Sequence, residues 1–378
     1  MERQREEGIR LKILHINSYY TTGAFYKHLY DGQAQMGDEP RVYVPASRSL
    51  DARGRDFGDY TDVAKILPGW DRLFFHLRYG RVQKDALSRY GGSSFDALHA
   101  HSLFSNGYVA AALAQKLDVP FITAVRNTDA MVFFRRMPHL RGLGRSLLRR
   151  ARSVVFLSPA YRDGALTPYL PKDELDAVLR KSHVIPNGID PFWLANPGAP
   201  RKKPNGAVRL LLVGKVQALK NIPAAAQAVV NLREGGVDAH LTVVGAAEDK
   251  ALAQSVSALP GVTLLPPRPM KELLPLYRES DIFVMPSFRE TFGLVYAEAI
   301  SQGLPVLYTR GQGFDGQFPD GRVGHPVDPR DPGDIAKKAL SILDNYEEIS
   351  QNCVLGATRF DWKDIIRAYR ALYEQAKQ

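Results

Sequence analysis

Cysteine is almost missing: Cys353 is the one thiol in 378 residues. No internal disulfide can form, a cysteine-rich metal site is excluded, and a reducing, cytoplasmic compartment fits. No stretch approaches the roughly 18 consecutive apolar residues that read as a membrane-spanning helix. Met1–Arg10 is charged and has no apolar centre, so it does not read as a secretory signal. The G-x-G-x-x-G turn is absent, which argues against a nicotinamide-dependent dehydrogenase. Acid is also short: 40 Asp+Glu face 50 Lys+Arg, a net charge of +10. Nucleic acid, an anionic membrane surface and phosphorylated substrates all suit such an excess.

What is present is ordinary globular material, 45% apolar and 24% charged, in a length that suits two domains. The basic surplus is uneven. Residues 1–190 carry 28 Lys+Arg and 20 Asp+Glu, leaving a nearly neutral second half.

Short apolar runs alternate with helical stretches in both halves. Strands are predicted at 11–17, 41–46, 96–101, 121–125, 153–158 and 183–186, with helices at 23–35 and 106–117. After a Pro- and Gly-rich lapse at 191–206, strands are predicted at 209–213, 240–244, 262–265, 282–286 and 305–309. Helices fall at 221–233, 270–279, 290–302 and 334–346, and a final helix spans 360–378. Continuous apolar runs of four to seven residues mark strands buried on both faces. Beta–alpha alternation then argues for parallel, doubly wound sheets. The expected division is 1–190, a linker at 191–206, 207–355, and a closing segment at 356–378.

Ligands of open parallel sheets sit beyond the carboxyl ends of strands, so the motifs to weigh are those that follow strands. After strand 209–213 come Gly214, Lys215 and Lys220, then Asn221 as a plausible helix cap with Pro223 in the first turn. Two ammonium groups beside a helix N-terminus make a diphosphate site, or else two solvated surface lysines. After strand 282–286 come Glu290 and Glu298, eight residues apart on one expected helix. Between them Thr291, Phe292, Gly293 and Leu294 offer backbone N–H groups. The carboxylates suit sugar or ribose hydroxyls. The plainer alternative makes Glu290 a cap and Glu298 a buried carboxylate. His99 and His101 end a strand on one face. Each is either a satisfied structural histidine or, for His101, a proton donor or acceptor near neutral pH. A metal at this pair lacks a clear third ligand nearby. Arg126, Asn127 and Asp129 follow another strand and are candidates for acceptor or sugar contacts, with Thr128 or Asp129 as a helix cap the alternative.

In order along the chain, these residues resemble a known family. Glu290 to Glu298 matches the E-x7-E motif of retaining GT-B glycosyltransferases of family four. Pro286-Ser287 precedes it, and Gly303-Leu-Pro-Val306 follows. Val184-Ile-Pro-Asn-Gly-Ile-Asp190, Gly214 to Asn221 and Asp96 to His101 are similar to that family too, so the resemblance covers nearly the whole chain. It implies an α/β, GT-B architecture: two Rossmann-like sheets facing across a cleft, the C-terminal helix returning toward the N-terminal domain. It implies a nucleotide-sugar donor, with Gly23, Gly214, Lys215, Lys220 and Thr291–Leu294 at the diphosphate and sugar, and Glu298 at the ribose. Glu290 and His101 are implied at the reacting centre. Transfer retains configuration by front-face attack, the leaving diphosphate helping to deprotonate the acceptor, with neither metal nor cofactor. The acceptor is a glycan or lipid-linked molecule of bacterial surface polysaccharide or glycolipid synthesis. Gly245-Ala-Ala-Glu248 and Pro266-Pro-Arg-Pro269 depart from the family's pattern and leave the base open. The loop Gly311 to Gly316 stands near the expected donor, with Phe314 able to touch it. A nucleotide-sugar epimerase or phosphorylase of the same fold, or a non-catalytic basic surface protein, are the alternatives.

The surplus charge concentrates around 70–89 and 131–152, and at 70–81 and 131–152 arginines are interleaved with apolar residues. Such segments suit the inner face of an anionic membrane, or a packed helix with an arginine-coated outer face. No nucleic-acid recognition module accompanies them, so nucleic acid is the least supported partner.

Overall fold

The computed structural model describes residues 10–377, apart from the side chains of Arg72 and Leu73. The reading of Met1–Ile9 as no secretory signal lies outside the described residues.

Contacts divide the chain into two compact units. One runs through Phe156, takes in Ala165–Ile185, and is completed from Trp362 onward. The other comprises Leu157–Gly164 and Pro186–Asp361.

The first unit holds a seven-stranded sheet: β1 (Lys12–Ile16), β2 (Glu39–Ser47), β3 (Thr61–Leu67), β4 (Ala97–Ala100), β5 (Phe121–Ala124), β6 (Ser153–Phe156) and β7 (Ser182–Val184). Its order is β3-β2-β1-β4-β5-β6-β7, and every pairing is parallel. The strands β4, β5 and β6 are buried at every residue, as continuous apolar runs require when helices cover both faces. At the edge, β3 alternates half-buried, buried and exposed residues. A search for unbroken apolar runs therefore passes over Thr61–Leu67.

The closing helix, Trp362–Lys377, belongs to this unit. Trp362, Ile365, Ile366, Tyr369, Leu372, Tyr373 and Ala376 recur every three or four residues and are all buried. They join Leu29, Tyr30, Val42 and Val44 in one core. At about 1.5–3 kcal/mol for each large apolar side chain buried, this stripe is a main source of the unit's stability.

The second unit holds β8 (Val208–Val213), β9 (Ala239–Val244), β10 (Val262–Leu265), β11 (Ile282–Met285), β12 (Val306–Thr309) and β13 (Gly324–Val327). Their order is β10-β9-β8-β11-β12-β13, again all parallel. The sequence does not announce β13, whose Gly-His-Pro-Val has little strand character. It is held by pairing with β12 and by burial. The stretch read as a linker begins with a helix, Pro191–Ala195, and its Trp193 is fully buried in this unit's core. Pro and Gly richness hid an anchored segment.

Both sheets reverse strand order once next to their first strand, between β1 and β4 and between β8 and β11. Those are the switch points at which loops diverge and leave room for a ligand.

Gly324 opens β13 at φ +140, and a Cβ there would stand 1.8 Å from the Val306 carbonyl oxygen on β12. Gly324→Ala is expected to lose about 2 kcal/mol or more of stability. By contrast, Gly142 sits in the helix Arg141–Arg150 with open space around it, and Gly142→Ala should gain up to about 1 kcal/mol. Denaturant unfolding of the two variants checks both signs.

Candidate functional site

At the second unit's switch point, β8 is followed by Gly214, whose N–H donates to the Val244 carbonyl at 2.9 Å. A short turn, Ala218–Lys220, then leads into the helix Ile222–Glu234. Asn221 does not cap that helix. It sits in the left-handed region at φ 52, and its amide donates to the carbonyls of Pro286 and Pro329 at 3.1 and 2.6 Å. The side chain thus ties the β8 turn to the end of β11, and Lys220 is carried toward the β11 loop.

The β11 loop also differs from expectation. The helix runs over Leu294–Ser301, not 290–302, because Gly293 lies at φ +79, where a right-handed helix cannot propagate. Glu290 is therefore in the loop, and the two carboxylates do not share a helical face. Glu290 Oε2 accepts from Lys220 Nζ at 2.7 Å, and its Oε1 accepts the Thr291 N–H at 3.1 Å. Lys220 and Glu290 are each about one-fifth exposed. The lysine and glutamate assigned to separate parts of a donor thus pair with each other. Lys215 stands apart, exposed, and pairs with Glu248 at 2.6 Å.

Gln312 lies in the loop that the sequence puts near the donor; its Oε1 accepts the Glu290 N–H at 3.2 Å, and the Gly313 N–H donates to the Glu290 carbonyl at 3.1 Å. The loop beginning at Gly311 thus fixes Glu290 from behind. Phe314 in the same loop is buried among Tyr296, Tyr308 and Phe360, so it is a core residue and not a donor contact. Phe292 is likewise a core side chain, and only the backbone of its stretch is left for a ligand. Glu298 is half-buried and accepts from the Tyr277 hydroxyl at 3.0 Å. Burial pushes its pKa up to about 7; the Tyr277 bond pulls the other way and Asp190 adds to the rise.

At the first unit's switch point, β1 and β4 pair His15 with His99. His101, one residue beyond β4, completes a triad whose ring nitrogens lie within 4.8 Å of one another. The sequence reading found no third histidine because His15 lies 84 positions before His99; only the strand register brings it in. The rings of His99 and His101 stack at 4.1 Å and 21°, so their lone pairs lie in nearly parallel planes, a poor arrangement for converging on one ion. The triad works instead as a hydrogen-bonded group. His15 Nδ1 meets His101 Nε2 at 3.1 Å, Tyr30 Oη meets the same nitrogen at 3.3 Å, and His99 Nδ1 meets Tyr373 Oη at 2.8 Å. Burial, reinforced by the neighbouring histidines and Arg126, lowers the pKa of His101 well below the usual value. It is neutral at physiological pH and does not titrate there, contrary to the sequence reading.

Gly23 precedes the helix Tyr26–Gln35, its N–H donating to the Tyr19 carbonyl at 2.8 Å. Arg126 is buried, and its Nε donates to the His101 carbonyl at 3.0 Å. Asn127 is half-buried. Asp129 is fully buried and caps no helix. Its carboxylate accepts the N–H groups of Arg126, Leu103 and Phe104 at 2.8, 3.1 and 3.0 Å. Fully buried and bonded through both oxygens to backbone, it organises the loops after β4 and β5. Thr128 makes no cap bond either.

The basic segments also separate. Leu140, Leu147 and Leu148 turn into the core, and Arg145 and Arg149 pair with Glu174, so residues 131–152 form a packed helix region with an arginine-coated surface. Near 70–81 the apolar residues face outward: Trp70, Phe74 and Leu77 are 64%, 58% and 50% exposed. The Arg81 guanidinium lies 5.6 Å from the Trp70 ring centre, and buried Asp71 pairs with Arg78 and Arg81.

Comparison with known proteins agrees with this layout. Residues 22–192 match Glycosyltransferase Family 4, and residues 207–345 match Glycosyl transferases group 1. With the two parallel sheets, these matches support a GT-B architecture and a glycosyltransferase. It is 34% identical over 187 residues to a D-inositol 3-phosphate glycosyltransferase of Corynebacterium kroppenstedtii, covering 46% of this chain and 42% of that relative. Its fold is that of sucrose-phosphate synthase from Thermosynechococcus elongatus, with a TM-score of 0.75, 17% identity, and coverage of 97% and 99% of the two chains. Anabaena HepE, solved in complex with UDP-glucose, aligns with a TM-score of 0.64 at 18% identity over 97% of this chain and all of that one.

Removing the Asp129 carboxylate strands three backbone N–H groups in the interior. Asp129→Ala is expected to cost about 3 kcal/mol or more, at roughly 1 kcal/mol or more for each buried donor left unpaired. Denaturant unfolding measures the loss. Faster hydrogen exchange at the amides of Leu103, Phe104 and Arg126 would locate it.

Proposed function

We propose that this chain transfers a hexosyl group from a nucleoside-diphosphate sugar, with retention of configuration, to a glycan or lipid-linked acceptor of bacterial surface polysaccharide or glycolipid synthesis. The observation that carries the reading is the pairing of Lys220 with Glu290 at the switch point of the second sheet, a cation and a carboxylate side by side where a ligand of such a sheet binds. The donor's diphosphate takes Lys220, aided by Lys215, Gly214, Gly23 and the backbone of Thr291–Leu294. Glu290, released from the lysine, accepts from hydroxyls of the transferred sugar. Glu298 accepts from the ribose. In the first unit His101 is the residue assigned to the reaction. Attack is front-face, and the leaving phosphate takes the acceptor's proton, so the protein acts by holding the reactants and stabilising charge on the diphosphate. The lysines and the start of the helix Leu294–Ser301 supply that stabilisation without a metal or cofactor. UDP-sugars are the first donors to try, since HepE was solved with UDP-glucose.

UDP, GDP and ADP are therefore assayed for a rise in melting temperature; failure of all three removes the donor site. A ribose hydroxyl prefers the ionised Glu298. Its pKa of about 7 means that nucleotide affinity should climb as pH rises through about 7 and level off above about 8. Glu298→Gln should weaken binding and flatten that profile. Glu290→Ala should keep nucleotide binding while transfer falls about 100-fold or more, and full transfer by this variant would refute its role.

We further propose that the chain works from the cytoplasm at the inner face of the cell membrane, through Trp70, Phe74 and Leu77. Basic and outward-facing apolar residues occur together there, as an anionic surface requires. Among the described residues no helix is long and apolar enough to cross a membrane. Anionic vesicles should float the protein at low salt. Replacing the three residues by serine should reduce binding about tenfold or more. An unbound wild type would end the membrane reading.

A further inference from the structure

Arg126 is 6% exposed. A guanidinium taken that far from water is costly unless a carboxylate or another acceptor meets it. Its Nε donates to the His101 carbonyl at 3.0 Å. Its terminal nitrogens, Nη1 and Nη2, have neither a hydrogen-bond partner nor an ion-pair partner among the described residues, and they are not sealed from open space. Asp129, the carboxylate of the same loop, accepts backbone N–H groups, that of Arg126 included.

Two phenols share these surroundings. Tyr26 and Tyr369 are buried, yet neither hydroxyl has a hydrogen-bond partner among the described residues, and neither is sealed in. The Tyr26 ring meets the His101 ring edge-on at 5.2 Å, and the Tyr369 ring lies 5.0 Å from that of His99, which stacks on His101. With Arg126 on the His101 carbonyl, all three side chains gather around the same histidines. Each also feels the charge of the other two or of the arginine. Burial keeps both phenols protonated, raising Tyr26 above the usual value and Tyr369 to about 12.

The groups gathered there are one-sided. A guanidinium has N–H donors and no acceptor, and each phenol has a hydrogen to place. Buried donors are almost always satisfied, and one water offers only two lone pairs. A phosphate or carboxylate has acceptors enough, with negative charge to match the arginine. The charges assigned to the donor's diphosphate belong to the second unit, at Lys220.

We propose that Arg126, with Tyr26 and Tyr369, binds a phosphate or carboxylate group of the acceptor, so that the sugar goes to an anionic molecule. This rests on the transfer proposed above and narrows its acceptor class. Because the donors surround the residue assigned to the reaction in this unit, the negative group lies on or next to the ring that receives the sugar, not at the far end of a lipid chain. Neutral sugars are then poor acceptors.

Side-chain nitrogen NMR on the full chain with labelled arginine tests this, the Arg126 signals being assigned by their loss in Arg126→Gln, or in Arg126→Lys if the first variant does not fold. Inorganic phosphate and acetate are titrated separately, with and without saturating UDP. At least one of them should shift the Arg126 signals, and UDP should not prevent it. Which one does so tells phosphate from carboxylate. Tyr26→Phe and Tyr369→Phe should each weaken that anion about fivefold or more. In transfer assays over sugars, their phosphates and their uronic acids, the charged members should be preferred about tenfold or more. Arg126→Lys, which keeps the charge and loses the fork, should raise the KM of the preferred acceptor about tenfold while the donor KM stays within about twofold. Arg126 signals unmoved by both anions, an anion displaced by UDP, or equal transfer to neutral and charged sugars overturns the inference. If an anion binds at Arg126 but neither UDP binding nor transfer is found, the proposed function fails while the anion site stands. Transfer by a protein whose Arg126 binds no anion fails this inference alone.

Discussion

A parallel sheet whose strand order reverses must send two neighbouring loops in opposite directions, and this chain meets that constraint twice. Between β8 and β11 the loops carry Lys220 and Glu290. Between β1 and β4 the strands carry His15, His99 and His101. Almost everything else described serves to hold these two places. Asn221 binds the β8 turn to the carbonyls of Pro286 and Pro329, Gln312 grips the Glu290 amide from behind, and Asp129 gathers three amides beneath the loop that follows His101. These supports are side chains spent on backbone, which suits a protein that must hold loops still at strand ends.

The two places differ in electrostatic character. At the second, opposite charges are paired in a partly shielded setting, so a diphosphate would meet a lysine already engaged and would have to offer it more than a carboxylate does. At the first, burial holds the three histidines uncharged, and directional bonds link them to one another and to the tyrosines, with the Arg126 guanidinium on the His101 carbonyl. The chain thus carries an ion pair at one switch point and a hydrogen-bonded histidine group at the other.

The sequence makes the central strands plain. The residues of β4, β5, β6 and β11 are unbroken apolar runs, and all lie fully inside. It conceals what depends on pairing or a single dihedral. Thr61–Leu67 and Gly324–Val327 become strands through their neighbours. Gly293 ends the expected Glu290 helix by its positive φ. Lys220 and Glu290 are each legible as candidates from the strands they follow, but their mutual bond spans 70 positions. His15 passed unremarked because a histidine inside an apolar strand looks like any core residue until the register sets it beside His99. Tyr26 and Tyr369 gave no signal as donors, since a buried phenol acquires meaning only from the groups beside it.

The placement of Trp362–Lys377 has a consequence for how the molecule is made. That helix supplies seven side chains to the first unit's core, and its Tyr373 is the hydroxyl beside His99. A ribosome delivers these residues after the whole second unit, Pro186–Asp361, has emerged. The first unit begins the chain yet finishes last, while the second can collapse from a nearly contiguous stretch. Until Ala376 is made, Leu29, Tyr30 and the histidine strands lack their cover. An order of synthesis that runs from N- to C-terminus therefore does not match the order of completion.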